Sequence, residues 1–282
     1  MEKKSYKLIA EIGASHAGSV SRAIMLTEMA ADSGADIVKF QKRDPVSSTS
    51  AAIAGEPHPS PFFSYGKTYL EHRIALELSI REHETIKNRC EKLGVKYSCS
   101  AWDIKSASDL MLIDPFFIKI PSACNLNNNL IEFCLGKSNS IIHISLGMLG
   151  SSQRLEVMNK YKDRGVIFYH TTTEYPCPFD RLYLKEIETI ISVCGDAGFS
   201  NHGYGIASDI AAMTLGASYI ERHFIDDRTF RHTDAAASIE PSGMKTLKRD
   251  LDNISLALSF NNKETCTPQE LINSIKLRNS SF

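Results

Sequence analysis

The sequence predicts an α/β fold, specifically a closed TIM (β/α)8 barrel, and three observations favour it. Short apolar runs alternate with amphipathic stretches along the whole chain, which is typical of parallel β/α units. There are eight such units, and 282 residues suit one barrel of about 250 residues. No Gly-x-Gly-x-x-Gly follows the first strand, which argues against a doubly wound sheet that binds a dinucleotide.

The apolar runs predict eight strands, each short and apolar as a buried parallel strand is. In chain order we expect them at Lys7–Ile12, Asp36–Phe40, Val95–Ser100, Phe116–Pro121, Ile141–Ser145, Gly165–His170, Gly198–Ser200 and Ser218–Phe224.

The amphipathic stretches between these runs predict the helices, and Gly94 directly after one of them is a good position for a helix C-cap. We expect helices at Ser21–Asp32, Ser79–Leu93, Lys105–Leu112, Asn128–Leu135, Ser151–Lys162, Leu182–Cys194, Ile206–Leu215 and Ser242–Leu258.

One connection is too long to be a plain link between elements. Residues 43–70 are rich in Ser, Pro and Gly, and we expect them to form a lid or a substrate loop. The predicted organisation is therefore a catalytic barrel over residues 1–260, with 43–70 as a lid-like insertion. Residues 261–282 are expected to form a polar C-terminal tail with a weak helical pattern around Glu270–Arg278.

Charge and cysteine content narrow the class of protein. A net charge of −1 and the lack of a long basic block argue against nucleic acid and against a membrane surface as partners. No apolar segment is long enough to span a membrane, and the N-terminal apolar run is too short for a signal peptide. The seven cysteines are irregularly spaced without a Cys-x-x-Cys, which favours a reducing, cytoplasmic location over a disulfide framework or a zinc ribbon.

Polar residues mark the carboxyl ends of the predicted strands, where a TIM barrel carries its active site. From these positions we select as candidate site residues those whose side chains can bind anions, metals or sugars. In chain order these candidates are Glu11, Lys39, Gln41, Ser100, Lys119, Ser122, Ser145, Thr173, Tyr175, Ser200, His202, Glu221 and His223.

Lys39 and Lys119 each lie inside an apolar strand. Successive side chains of a strand point to opposite faces. If the apolar neighbours of each lysine point outward to the helices, both lysine side chains point into the barrel mouth. Lysine is rarely buried without a partner. Two inward lysines among serines and threonines predict a site for a carboxylate or a phosphate. The alternative is that each lysine is paired with a buried carboxylate such as Glu11.

His202 and His223 lie one β/α repeat apart, at the ends of neighbouring strands. Adjacent strands are about 5 Å apart, so the two imidazoles can share one metal ion. With Glu221 and water, they suit Mn²⁺, Mg²⁺, Fe²⁺ or Zn²⁺. The alternative is that His202 and His223 are unrelated and share no metal.

Two other histidines, His72 and His83, are expected at the protein surface.

The chain resembles the sialic acid synthase (N-acetylneuraminate synthase) family, which condenses phosphoenolpyruvate with an N-acylated amino sugar. The resemblance covers residues 7 to about 255 and is to a short member that lacks the C-terminal antifreeze-like domain. Nine stretches carry it, in order and each at a strand end: AEIGASHAG (10–18), GADIVKFQ (34–41), SCSAWD (98–103), FIKIPSACN (117–125), ISLGM (144–148), HTTTEYP (170–176), GFSNHGYG (198–205), GASYIERHF (216–224) and HTDAAASIEP (232–241).

The resemblance implies a role for each candidate residue. A divalent metal, Mn²⁺ or a similar ion, is held by His202 and His223 with water, and activates the aldehyde of the open-chain sugar. Carbon 3 of phosphoenolpyruvate attacks that aldehyde, water adds at carbon 2, and phosphate leaves by C–O cleavage to give a 3-deoxy-nonulosonic acid. The carboxylate of phosphoenolpyruvate meets Lys39, Ser100, Lys119 and Ser145; its phosphate meets Ser122, Thr173 and Ser200; the sugar meets Glu11, Gln41, Tyr175 and Asp234.

The departures from the family pattern concern the sugar. Ser15 and Asn201 stand where the family usually has Asn and Asp, and Ala123–Cys124 stand in place of a glutamate that contacts the amino sugar. The family's C-terminal domain, which the resemblance does not extend to, supplies an arginine to a partner subunit's site. The oligomeric state therefore stays open, with a homodimer as one expectation. Arg43, Arg73 or Arg231 are our candidates to replace that arginine.

Two other functions stay open from the residues. One is another metal-dependent barrel aldolase or isomerase acting on phosphosugars. The other is a catalytically degenerate barrel that binds a sugar. The paired lysines favour the synthase, and release of phosphate from phosphoenolpyruvate discriminates between the three.

Overall fold

The computed structural model describes residues 6–259 and 263–278, and it confirms the (β/α)8 barrel. Eight parallel strands pair in chain order, and the last pairs with the first. Their bounds are β1 Lys7–Gly13, β2 Ile37–Lys42, β3 Lys96–Ala101, β4 Phe117–Ile120, β5 Ile141–Ser145, β6 Ile167–His170, β7 Ala197–Asn201 and β8 Tyr219–His223.

Helices surround the barrel, and every predicted helix is present with small shifts at its ends. Gly94 ends one of them in the left-handed conformation, with a φ of +76°, as its position predicted. The bounds are α1 Val20–Asp32, α2 Pro45–Ser48, α3 Ala51–Ala54, α4 Tyr69–Leu76, α5 Ile80–Leu93, α6 Ile104–Met111, α7 Asn128–Lys137, α8 Ser151–Tyr161, α9 Glu186–Cys194, α10 Ala207–Leu215, α11 Pro241–Ala257 and α12 Pro268–Leu277.

The alternation of side chains along the strands separates the core from the site. In β2, Val38 and Phe40 point outward and pack under the helices, whereas Ile37 points inward and closes the barrel floor. Lys39 shares the inward face with Ile37 because it lies two residues further along. The strand register then sets Lys39 beside Glu11 of β1.

The connection from β2 to α5 is more structured than the sequence predicted. It contains the short helices α2 and α3, a 3₁₀ turn at Pro61–Phe63, and the two-turn helix α4. Thr68 and Glu71 form a reciprocal capping box that starts α4, a local signal that the sequence carried. We call residues 43–76 the roof, because side chains from this segment cover the barrel mouth.

Two histidines expected at the surface are buried, so that expectation was wrong. His72, on α4, accepts a hydrogen bond from the Tyr65 backbone N–H at 3.1 Å and packs against the His58 ring at 4.5 Å. His83, on α5, lies 2.8 Å from the Tyr97 hydroxyl. Helix periodicity allows either face to be the buried one, and here the imidazoles face inward.

After α11, the described part of the chain contains one further helix. Helix α12 matches the weak helical pattern expected near Glu270–Arg278, and none of its residues is buried. The predicted boundary at 260/261 and the last residues of the tail, 279–282, lie outside the described residues. In the part of the chain that is described, no helix combines the length and apolar composition of a membrane span.

Candidate active site

A polar pocket of about 90 Å³ lies inside the barrel at the carboxyl ends of the strands, and we call it the inner pocket. It brings together all thirteen candidates at the strand ends, whereas Asp234 and the three candidate arginines do not line it. Its lining consists of Glu11, Lys39, Gln41, Ser100, Trp102, Lys119, Pro121, Ser122, Ala123, Ser145, Met148, Thr173, Tyr175, Ser200, His202, Glu221 and His223.

Two lysines and two carboxylates form the base of the inner pocket. Lys39 Nζ lies 2.6 Å from Glu11 Oε2 and 3.6 Å from Glu221 Oε2, and Lys119 Nζ lies 2.8 Å from Glu221 Oε1. The pairing alternative considered from the sequence is therefore correct, and both lysines also line the pocket. An anion that enters finds these lysines already held in place.

Interactions among the two lysines and two carboxylates determine their protonation states. Burial lowers the pKa of Lys119 to about 8, although Glu221 acts in the opposite direction. Burial also acts to lower the pKa of Lys39, but Glu11 and Glu221 outweigh it and the pKa is raised. The two lysines hold the pKa of Glu221 well below its usual value against the effect of burial. Lys39 and Glu221 are therefore charged near neutral pH, and Lys119 is charged apart from a deprotonated fraction.

Hydroxyl groups form one wall of the inner pocket. Ser122 Oγ and Ser145 Oγ lie 2.8 Å apart. Thr173 Oγ1 is buried and has no hydrogen-bond partner among the described residues. A Cβ at Gly147 would come within 2.5 Å of both Ser122 Oγ and Thr173 Oγ1, so only glycine allows the backbone to approach these hydroxyls. An unpaired buried hydroxyl is costly, and these groups are of the kind that can hydrogen-bond to ligand oxygens.

His202 and His223 meet at the rim, with ring centroids 5.4 Å apart. His202 Nδ1 lies 2.8 Å from the Thr172 carbonyl oxygen. Because a carbonyl only accepts, Nδ1 carries the proton and Nε2 is left as a free donor of electrons to a metal. Burial, reinforced by His223, lowers the pKa of His202 to about 3, so this imidazole is neutral at physiological pH.

The two imidazoles fit one divalent ion, with the remaining positions open to water or substrate. His223 Nδ1 is buried without a hydrogen-bond partner in the described residues, and Asp234 Oδ2 lies 3.7 Å away as its nearest carboxylate. The expectation that Glu221 joins them is wrong, because Glu221 is turned toward Lys119 and Ser200. Residues 6–259 and 263–278 contain no cluster of three or more His, Cys, Asp or Glu suited to a metal.

A second cavity, of about 220 Å³, lies between the barrel mouth and the roof, and we call it the outer cavity. It shares Gln41, Trp102, Met148, Thr173, Tyr175 and His223 with the inner pocket. Asp234 lies here, beside the site rather than inside it. The remaining lining residues are Ala14, Arg43, Phe63, Tyr65, His72, Arg73, Leu76, His232 and Thr233.

The sequence reasoning missed part of this outer cavity. Trp102 was not among the candidates, but the centre of its ring lies 3.3 Å from the Arg43 guanidinium carbon, and the residue lines both cavities. His72 and His232 were not among the candidates. The available signal was the long roof segment itself, since loops of this length in a barrel usually serve the site. Ala123 lines the inner pocket and Cys124 is buried beside it, so neither supplies a charge.

Comparison with known proteins identifies the family to which the chain belongs. A profile of the NeuB family matches residues 26–263. The chain is 31% identical over 261 residues to N,N'-diacetyllegionaminic acid synthase of Campylobacter jejuni, covering 90% of this chain and 78% of that protein. It is 30% identical over 261 residues to human N-acetylneuraminate-9-phosphate synthase, covering 91% and 72%.

Solved structures agree on the fold. A sialic acid synthetase of Leptospira borgpetersenii superposes with a TM-score of 0.81 over 99% of this chain and 93% of that chain, at 24% identity. A spore coat polysaccharide biosynthesis protein of Chromobacterium violaceum superposes with a TM-score of 0.80 over 96% and 81%, at 19% identity. On the extent of the profile match and of the sequence identity, the chain belongs to the NeuB family.

Proposed function

We propose that this chain condenses phosphoenolpyruvate with an N-acylated amino sugar of the mannosamine type, giving a 3-deoxy-nonulosonic acid and phosphate by C–O cleavage. The observation that carries the proposal is the meeting, at one barrel mouth, of two buried lysines with two imidazoles of the kind that bind metal. Relatives whose names describe legionaminic acid and N-acetylneuraminate-9-phosphate synthases support the substrate class.

The sizes of the two cavities support one proposed arrangement of the substrates. The inner pocket of about 90 Å³ takes the smaller phosphoenolpyruvate, and the outer cavity of about 220 Å³ takes the sugar. The carboxylate binds Lys39, Ser100, Lys119 and Ser145, while the phosphate binds Ser122, Thr173 and Ser200. The shared lining then brings carbon 3 of the enol toward the aldehyde, which reduces the entropy cost of the reaction.

The chain's own residues hold the charges and protons of the reaction. Glu11 accepts a hydrogen bond from Gln41 through Oε1 at 2.8 Å and contacts Lys39 through Oε2, so it can accept the proton of the water that adds at carbon 2. Tyr175 packs on His202 at 4.0 Å and borders the sugar. When bound at His202 and His223, a divalent ion such as Mn²⁺ supplies Lewis-acid polarisation of the aldehyde oxygen.

The test is phosphate release from phosphoenolpyruvate with a panel of N-acylated amino sugars, with and without Mn²⁺. In oxygen-18 water, C–O cleavage places the label in the sugar acid and leaves the phosphate unlabelled. Lys119→Met should abolish release, and Lys87→Met, at a partly exposed lysine of α5 outside both cavities, is the matched control. No release with any sugar would favour the degenerate barrel. A cytoplasmic location and a homodimer stay predictions.

A further inference from the structure

The outer cavity contains two arginines that its acidic groups do not neutralise. Arg43 donates from its guanidinium to Gln41 Oε1 at 3.0 Å and lies over the Trp102 ring. Arg73 donates to the Tyr69 hydroxyl. In the described ranges, neither guanidinium forms an ion pair with an Asp or a Glu. A desolvated cation without a counter-ion is unfavourable.

The surroundings of Arg43 increase that electrostatic cost. Burial lowers the pKa of Arg43 to about 9, and the charge of Arg73 adds to the effect, outweighing the opposite influence of Tyr69, Glu77 and Asp234. Burial likewise lowers the pKa of His72 to about 4 and lowers that of His232, so both imidazoles are neutral. Asp234, the acidic residue in the cavity lining, has its nearest basic partner in His223. The cavity therefore carries excess positive charge beside the space assigned to the sugar.

We infer that Arg43 and Arg73 bind a phosphate group on the acceptor sugar, so that the acceptor is a hexosamine phosphate. The inference rests on the proposed function and names its second substrate. Guanidinium groups present forked N–H donors that match phosphate oxygens, whereas an acyl group has one oxygen and no charge. Phosphoenolpyruvate adds three carbons, so a 6-phosphate on the acceptor becomes a 9-phosphate on the product, as in the name of the human relative.

The third arginine considered from the sequence does not contribute. Arg231 donates to the Ser64 carbonyl oxygen at 2.5 Å and lies over the Tyr65 ring, so it fastens the roof. It is not among the residues that line the outer cavity. Arg231→Gln is therefore a matched control, since it removes a guanidinium from the same region without removing one from the proposed phosphate site.

The experiment measures ligand binding through the fluorescence of Trp102, the single tryptophan, which lines both cavities. Wild-type protein, Arg43→Gln, Arg73→Gln, Arg73→Lys and Arg231→Gln are titrated with N-acetylmannosamine, with its 6-phosphate and with phosphoenolpyruvate. We expect the wild type to bind the 6-phosphate at least about 10-fold more tightly than the free sugar. Each Gln variant should lose about 10- to 100-fold for the 6-phosphate only, and Arg73→Lys should lose less.

Three results would overturn the inference: equal binding of sugar and sugar phosphate by the wild type, weaker phosphoenolpyruvate binding in the Gln variants, or an equal loss in Arg231→Gln. Thermal unfolding of each variant identifies any that fails to fold, and Arg73→Lys then provides the test. Arginine-dependent binding of the 6-phosphate without release of phosphate from phosphoenolpyruvate would count against the proposed reaction and leave the phosphate site standing.

Discussion

Lys119 and Glu221 should show strong energetic coupling in a double-mutant cycle. Both side chains are buried, and their charged atoms lie 2.8 Å apart. Lys119→Met leaves Glu221 with Ser200 at 2.9 Å and with Lys39 at 3.6 Å. Removing one partner of a buried pair costs about 3–5 kcal/mol, and these remaining partners place the cost near the lower end, about 3 kcal/mol. Removing both charges, as in K119M/E221L, should restore about 2 kcal/mol, because no unpaired charge then remains.

The free energy of unfolding of the wild type, both single variants and the double variant gives the coupling energy by denaturant titration at pH 7. The exposed pair Arg164–Glu132, whose atoms lie 3.5 Å apart, is the matched control, and R164M/E132L should couple by less than about 0.5–1 kcal/mol. A Lys119–Glu221 coupling as small as that of the control would refute the argument that burial, rather than proximity, makes this pair strong.

Three further predictions concern the activity. Because the pKa of Lys119 is lowered to about 8, kcat/KM for phosphoenolpyruvate should fall as the pH rises through about 8, and a profile flat to about pH 10 would contradict this. Chelation should abolish phosphate release and Mn²⁺ should restore it in the wild type but not in His202→Gln; metal-independent release would argue against the two-imidazole site. Gly147→Ala should raise the KM for phosphoenolpyruvate at least about 10-fold, because its Cβ would press on Ser122 and Thr173; an unchanged KM would place the phosphate elsewhere.

The fold and the inner pocket could be predicted because they depend on local periodicity. A strand alternates its faces every residue, so the apolar neighbours of Lys39 and Lys119 were enough to turn both lysines inward. Position at a strand end then selected the hydroxyls and His202 and His223. Glu11 was named as a possible buried partner for a lysine, and the register of β1 and β2 places it beside Lys39.

The remaining features depend on contacts between distant parts of the chain. Glu221 was grouped with the metal because it is two residues from His223 and shares its inward face, and only the closed barrel brings Lys119 within 2.8 Å of it. The roof contains no strand, so its sequence has no alternation from which side-chain directions can be predicted. The contact between Arg43 and the Trp102 ring could therefore not be predicted from local sequence. His72 lies on a helix whose buried face is decided by what the roof covers.

The fixed charges at the base of the inner pocket are balanced. Bound phosphoenolpyruvate and a bound divalent cation would therefore neutralise each other's charge. Two lysines there already face two carboxylates, so a trianionic substrate adds charge that the fixed side chains do not neutralise. A cation on His202 and His223 would offset most of that excess. Each ligand should therefore tighten the binding of the other by the same factor, as thermodynamic linkage requires. The barrel would then bind phosphoenolpyruvate and the cation together more tightly than it binds either one alone.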